Sequence, residues 1–126
     1  RYGLAAARVA LHDDPPQAAM HAELARRRVY VHPVRWTSLG LALLEAMHLG
    51  MPVVALATTE AVEAVPQGAG VLSTRPERLH AAVREYLSDP DAARLAGKAA
   101  RAAALDRYGL DRFLRDWDRL LEEVRG

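Results

Sequence analysis

RVYVHPVRWTSLGLALLEAMHLGMPVVALA, residues 28–57, decides how this chain is read. A short run of strand-forming residues, Val29, Tyr30 and Val31, ends at His32-Pro33, and a loop leads to Gly40. An apolar helical run follows with a single carboxylate, Glu45, set into it. Gly50 closes that helix, and Pro52-Val53-Val54 opens a second strand. Strand, loop, glycine, helix, glycine and strand make a parallel crossover unit. An acid inside an apolar helix, five residues beyond a glycine at its start, calls for a ligand or a buried partner.

The same rhythm extends outward. Val9-Ala10-Leu11 is a short strand candidate that stops at His12-Asp13-Asp14-Pro15-Pro16, where the two acids suit a helix cap. A helix is predicted over residues 16–26, with Met20, Leu24 and the alanines facing inward. Strands over residues 29–32 and 53–56 flank a helix over 41–49. Residues 60–65 form a helical turn, and Gly70-Val71-Leu72 is a fourth strand. Leu79, Val83 and Leu87 mark a helix over residues 76–88, and Asp89-Pro90 starts another that runs to Tyr108. After Gly109, residues 111–125 place Phe113, Trp117, Leu120, Leu121 and Val124 on one face, which reads as core.

Short apolar strands alternating with helices predict an α/β fold: a Rossmann-like parallel sheet flanked by helices, with a helical C-terminal tail. The 126 residues, 51% of them hydrophobic, suffice for one core, and residues 1–126 read as a single domain. With 17 basic and 16 acidic side chains the net charge is +1, so a nucleic-acid partner has no support. The run Arg26-Arg27-Arg28 suits a solvated helix C-terminus. Without cysteine the chain has neither disulfides nor thiolate chemistry. No apolar run is long enough to span a bilayer and no signal pattern occurs, so a cytoplasmic location is expected. The chain starts at Arg1, and a fragment, a processed product or a trimmed form of a longer protein is expected.

Ligands of open parallel sheets bind beyond the carboxyl ends of the strands, where residues 32–39 leave the first of them. The N–H groups of Gly40, Leu41 and Ala42 would head the helix and suit a phosphate. From there Glu45 could reach the hydroxyls of an attached ribose, or it could pair with an arginine such as Arg35; spacing leaves both open. His32 faces the same end of the sheet, and Arg35 lies in the loop, able to neutralise phosphate. Trp36 either stacks on a ligand or packs under the loop. The five histidines are scattered with no metal-ligating spacing.

HPVRWTSLGLALLEAMHLGMPVVA resembles the nucleotide-sugar signature of retaining glycosyltransferases of family 4, which have the GT-B fold. The resemblance continues through Val65-Pro66-Gln67-Gly68-Ala69-Gly70-Val71-Leu72, Arg75-Pro76-Glu77-Arg78-Leu79, Leu87-Ser88-Asp89-Pro90 and residues 108–121. It implies that Glu45 holds the ribose of a UDP- or GDP-type sugar donor, that Gly40, Leu41 and Ala42 hold its phosphates, and that no metal or further cofactor takes part. Eight residues before Glu45 the family carries a second glutamate, which contacts the donor sugar; here Thr37 stands in its place, with Ser38 and Leu39 for the usual Gly and Phe. Around Thr59-Glu60-Ala61-Val62-Glu63 only the final glutamate of the family pattern remains. The resemblance covers the later part of the C-terminal, nucleotide-sugar-binding domain. The family's diphosphate-binding Arg and Lys and its acceptor domain would precede Arg1.

The chain is thus expected to be the donor-binding part of a glycosyltransferase, inactive alone, with an acceptor the sequence does not name. Alternatives are a catalytically dead nucleotide-sugar-binding or partner-subunit module, a nucleotide-sugar epimerase of like architecture, and a plain interaction module. Open sheet edges would favour self-association.

Overall fold

The computed structural model of the chain describes residues 9–126. Its elements run α1 (Gln17–Ala25), β1 (Tyr30–His32), α2 (Leu41–His48), β2 (Val53–Leu56), α3 (Ala61–Ala64), β3 (Gly70–Ser73), α4 (Pro76–Ser88), α5 (Pro90–Tyr108) and α6 (Leu110–Arg125). The three strands form a parallel sheet in the order β1-β2-β3, pairing Tyr30 with Val53, His32 with Ala55, and Val53 with Gly70.

The central strand explains the layers. Successive side chains of β2 point to opposite faces, and Val53, Val54 and Ala55 are all buried. Val53 and Ala55 join Leu43 and Met47 of α2, Ala61 and Ala64 of α3, and Ala100 and Ala104 of α5 in one cluster. Val54 joins Ala82 and Tyr86 of α4 and Ala93 and Ala96 of α5 in the other. The alanine-rich α5 therefore serves both clusters along its length, and small side chains let it lie close. A methyl group on Gly97 would run into the carbonyl oxygen of Gly50.

Local chemistry sets the boundaries. Gly50 follows α2 with φ +75°, a left-handed conformation suited to glycine. The N–H groups of Gly50 and Met51 bond the carbonyls of Met47 and Ala46 at 2.9 and 3.1 Å, closing the helix. Asp89 caps α5, its Oδ1 accepting from the N–H groups of Asp91 and Ala92 at 3.0 Å each.

Five sequence expectations need correction, the first being that the alanines of α1, expected to face inward, are exposed. Residues 9–11 form no strand, so the sheet has three strands among the described residues. Leu11 is 91% exposed, and among the described residues no strand pairs with this stretch. Asp13 and Asp14 do not cap α1; Pro15 and Pro16 intervene, and Pro16 takes the cap position with no side-chain bond. On α4 the inner stripe is Leu79, Ala82, Val83 and Tyr86, which turns Leu87 to the surface. Finally, the expected core residues of α6 are not core. Phe113, Trp117, Leu120, Leu121 and Val124 share a face as predicted, but none is buried and Trp117 keeps 48% of its exposure. The helical period was right, and the element to cover that face is absent among the described residues.

Candidate functional site

The carboxyl end of β1 and the start of α2 build the site. Gly40 occupies the cap position of α2 with extended backbone (φ −74°, ψ 122°) and no side-chain cap. Its carbonyl accepts from the N–H groups of Leu43 and Leu44 at 3.1 and 3.3 Å. The N–H groups of Leu41 and Ala42 have no backbone partner among the described residues. Leu41 is 75% exposed, so the start of α2 lies at the surface. Unpaired amides at the positive end of a helix suit an anion.

His32 closes the floor beneath them. Tyr30 and His32 point to the same face of β1, two residues apart, with rings stacked at 5.9 Å. The His32 ring is buried and abuts Gly40: its Cε1 and Nε2 lie 3.4 and 3.7 Å from where a Cβ of Gly40 would stand. Burial lowers the pKa of His32 below the ordinary histidine value and raises that of Tyr30, to which the charge of Glu45 adds. At neutral pH the imidazole is therefore uncharged and the phenol protonated. Tyr30 Oη lies 3.4 Å from His32 Nδ1. When the hydroxyl donates to Nδ1, the ring proton resides on Nε2, which faces Gly40.

Glu45 lies four residues after Leu41, so it projects from the same side of α2 one turn further on. Its side chain is 26% exposed. Its protein partners are on α1 rather than Arg35: Oε1 accepts from Gln17 Nε2 at 3.0 Å and lies 3.2 Å from His21 Nε2. Arg35 does not pair with it. Arg35 is exposed and lines a separate cavity of about 510 Å³ on the α4 side of the sheet, with Val31, Pro33, Leu56, Thr58 and His80 among its neighbours. Burying an arginine head group beside Glu45 would have cost its hydration, and the polar face of α1 serves instead.

In the loop between β1 and α2, Thr58 Oγ1 donates to the Val34 carbonyl at 3.1 Å and Leu39 packs against the core. Trp36 is 88% exposed among the described residues rather than packed under the loop. Thr37 is half-buried three residues before Gly40, without a side-chain hydrogen bond among the described residues. The structure thus brings His32, Gly40, Leu41, Ala42 and Glu45 to one end of the sheet, keeps Thr37 and Arg35 in the adjoining loop, and sets Arg35 along the cavity on the α4 side. Gln17, His21 and Tyr30 were missed in the sequence. Tyr30 could have been found from its alternation with His32; Gln17 and His21 had only their shared helix face to offer.

The small parallel α/β unit sets an anion-suited helix start beside a half-buried carboxylate at the carboxyl end of its strands. The sequence matches the family described as "Glycosyl transferases group 1" over residues 4–103, and the chain belongs to that family. Its fold is similar to that of a sucrose-phosphate synthase from Thermosynechococcus elongatus, with a TM-score of 0.86 and 24% sequence identity. The similarity covers 94% of this chain and 31% of that one, so the chain spans about a third of the longer protein. That likeness identifies the fold as part of a GT-B fold. No curated protein matches the chain. Among the described residues no helix is long and apolar enough to cross a membrane.

Proposed function

We propose that the chain is the donor-binding part of a retaining glycosyltransferase of family 4, acting on a UDP- or GDP-type sugar. Glu45 accepts from the ribose hydroxyls, the amides of Gly40, Leu41 and Ala42 hold the diphosphate, and the neutral His32 adds an Nε2 proton beside them. Thr37 reaches the sugar with one hydroxyl where relatives use a carboxylate. The contribution to catalysis is positioning, together with stabilisation of the negative charge that grows on the departing diphosphate. Arg35, across the sheet, takes no part. No metal or cofactor is needed for this scheme.

One observation carries the reading: a half-buried carboxylate one turn beyond unpaired amides, on a helix whose cap is a bare glycine. Calorimetric titration of the 126-residue chain with UDP and with GDP tests it. One of the two is expected to bind, and Glu45→Gln to weaken it about tenfold or more, the range for a hydrogen bond to a charged group. Equal affinity in the variant overturns the ribose assignment. No sugar transfer is expected from this chain alone, and robust turnover would refute that.

A second reading, a binding module without transferase activity, is favoured by Thr37. A hydroxyl cannot supply the charge of the carboxylate it replaces. Under that reading a longer parent protein binds the donor but transfers nothing.

A further inference from the structure

We infer that Gln17 and His21 are positioning residues for Glu45: α1 holds one carboxylate oxygen so that the other is presented to the ribose. The inference rests on the assignment of Glu45 to the ribose and adds to it two residues from a different helix. Gln17 and His21 lie four apart on α1, hence on one face, and both reach Oε1 of Glu45, at 3.0 and 3.2 Å. Oε2 has no hydrogen-bond partner among the described residues. A carboxylate can accept about four hydrogen bonds, so two on one oxygen leave the second free for a hydroxyl pair.

The packing of α1 makes this arrangement more than incidental. None of its residues is buried, and its start lacks a side-chain cap. Among the described residues, the hydrogen bonds that tie the side chains of α1 to another element are those two, and both end on Glu45. Were α1 docked only for stability, apolar contact would serve, as it does for α4 and α5. Here the contact is polar and converges on the atom group proposed to bind ligand. A free glutamate has three rotatable side-chain bonds, and fixing them before the ligand arrives removes an ordering cost from binding. His21 is 36% exposed and Glu45 26%, open enough for a ligand to reach the pair.

The test compares the affinity of the bound ribonucleotide, UDP or GDP, with that of its 2′,3′-dideoxy analogue. The unaltered chain is expected to favour the ribonucleotide about tenfold, and Glu45→Gln to reduce that ratio to about one to two. His21→Leu is expected to lower the ratio to roughly threefold, and His21→Gln, which retains an amide donor near the position of Nε2, to restore it. In Glu45→Gln the further change His21→Leu should leave the ratio unmoved. A purely structural role for α1 would weaken both nucleotides alike and preserve the ratio. If Glu45→Gln collapses the ratio while His21→Leu and Gln17→Leu keep it, the positioning role is overturned and the ribose assignment stands. If Glu45→Gln itself keeps the ratio, the ribose assignment falls, and the positioning role with it.

Discussion

His32 shows how burial on a short strand converts an ordinary side chain into a component with a defined charge state. It lies under Gly40, stacked on Tyr30, and burial holds its pKa below the ordinary value near 6.5. The unfolded chain therefore takes up this proton at higher pH than the folded chain does. Between those two pKa values the unfolded state binds more protons, so stability rises with pH. The contribution is complete above the unfolded value and is lost as the pH falls through about 6.5 toward the folded pKa. His32→Asn retains an oxygen to accept from Tyr30 but cannot titrate. Urea unfolding at pH 7.5 and 5.5 should show a smaller loss of stability on acidification in the variant than in the unaltered chain. An equal loss in both would exclude this role for His32. The residues around it were unequally legible. Gly40 and Glu45 declared themselves through spacing, because glycine before an apolar helix and a lone acid within it are both costly without a purpose. Gln17 and His21 did not, since a contact between residues 24 and 28 positions apart depends on how two helices meet. The Arg35 side chain was illegible for the same reason: nearness in sequence left a pair with Glu45 open, and the fold sets Arg35 along the cavity lined by Val31 and Pro33.

Two helices, α2 and α6, show why an element can be read from its period while its burial cannot. Both have an apolar stripe, yet Leu43 of α2 is 1% exposed and Val124 of α6 is 78% exposed. The difference lies in the neighbours. α2 sits on β1 and β2 with α5 across it, and its stripe closes a cluster with Val53, Ala55 and Ala100. α6 leaves α5 at Gly109 and forms one wall of a shallow groove with Leu44 and Tyr108, and its outer turns are exposed among the described residues. Removing apolar volume should therefore be costly in α2 and nearly free at the end of α6. Leu43→Ala is expected to cost about 2–5 kcal/mol, as for other large-to-small changes in a packed core. Val124→Ala is expected to stay within about 0.5 kcal/mol, as for surface substitutions. Denaturant midpoints of the two variants measure both, and a comparable loss at Val124 would mean that the α6 face is covered in solution. The remaining elements were legible where local rules suffice: the Schellman-type turn at Gly50, the Asp89-Pro90 start of α5, and the β-rich runs that became β1 to β3. The expectation of a strand over residues 9–11 failed because a strand exists only through its neighbour, which a single stretch of sequence does not supply.

At the scale of the whole molecule, the three-stranded sheet of the described residues ends in edge strands rather than closing on itself. β1 ends the sheet, so its outer backbone groups have no partner among the described residues. Val31 on this strand is 47% exposed and faces the side covered elsewhere by α4, where Leu79 and Val83 line the same cavity. An apolar, unpaired edge is a template for another strand, and proteins ordinarily protect such edges with charge. The three residues of β1 are short for that purpose, and Pro33 and Arg28 on either side confine the opening to this one segment. We therefore expect the isolated chain to self-associate through β1 as its concentration rises. Val31→Lys places a charge at the centre of the edge strand without touching the proposed nucleotide site on the opposite face, so it should lower association while leaving UDP or GDP affinity unchanged. Light scattering across a range of concentrations decides the matter. A mass that climbs with concentration in the unaltered chain and stays at that of one chain in Val31→Lys supports pairing at β1. A single-chain mass throughout in the unaltered protein removes it, and association that survives Val31→Lys moves the contact away from this edge.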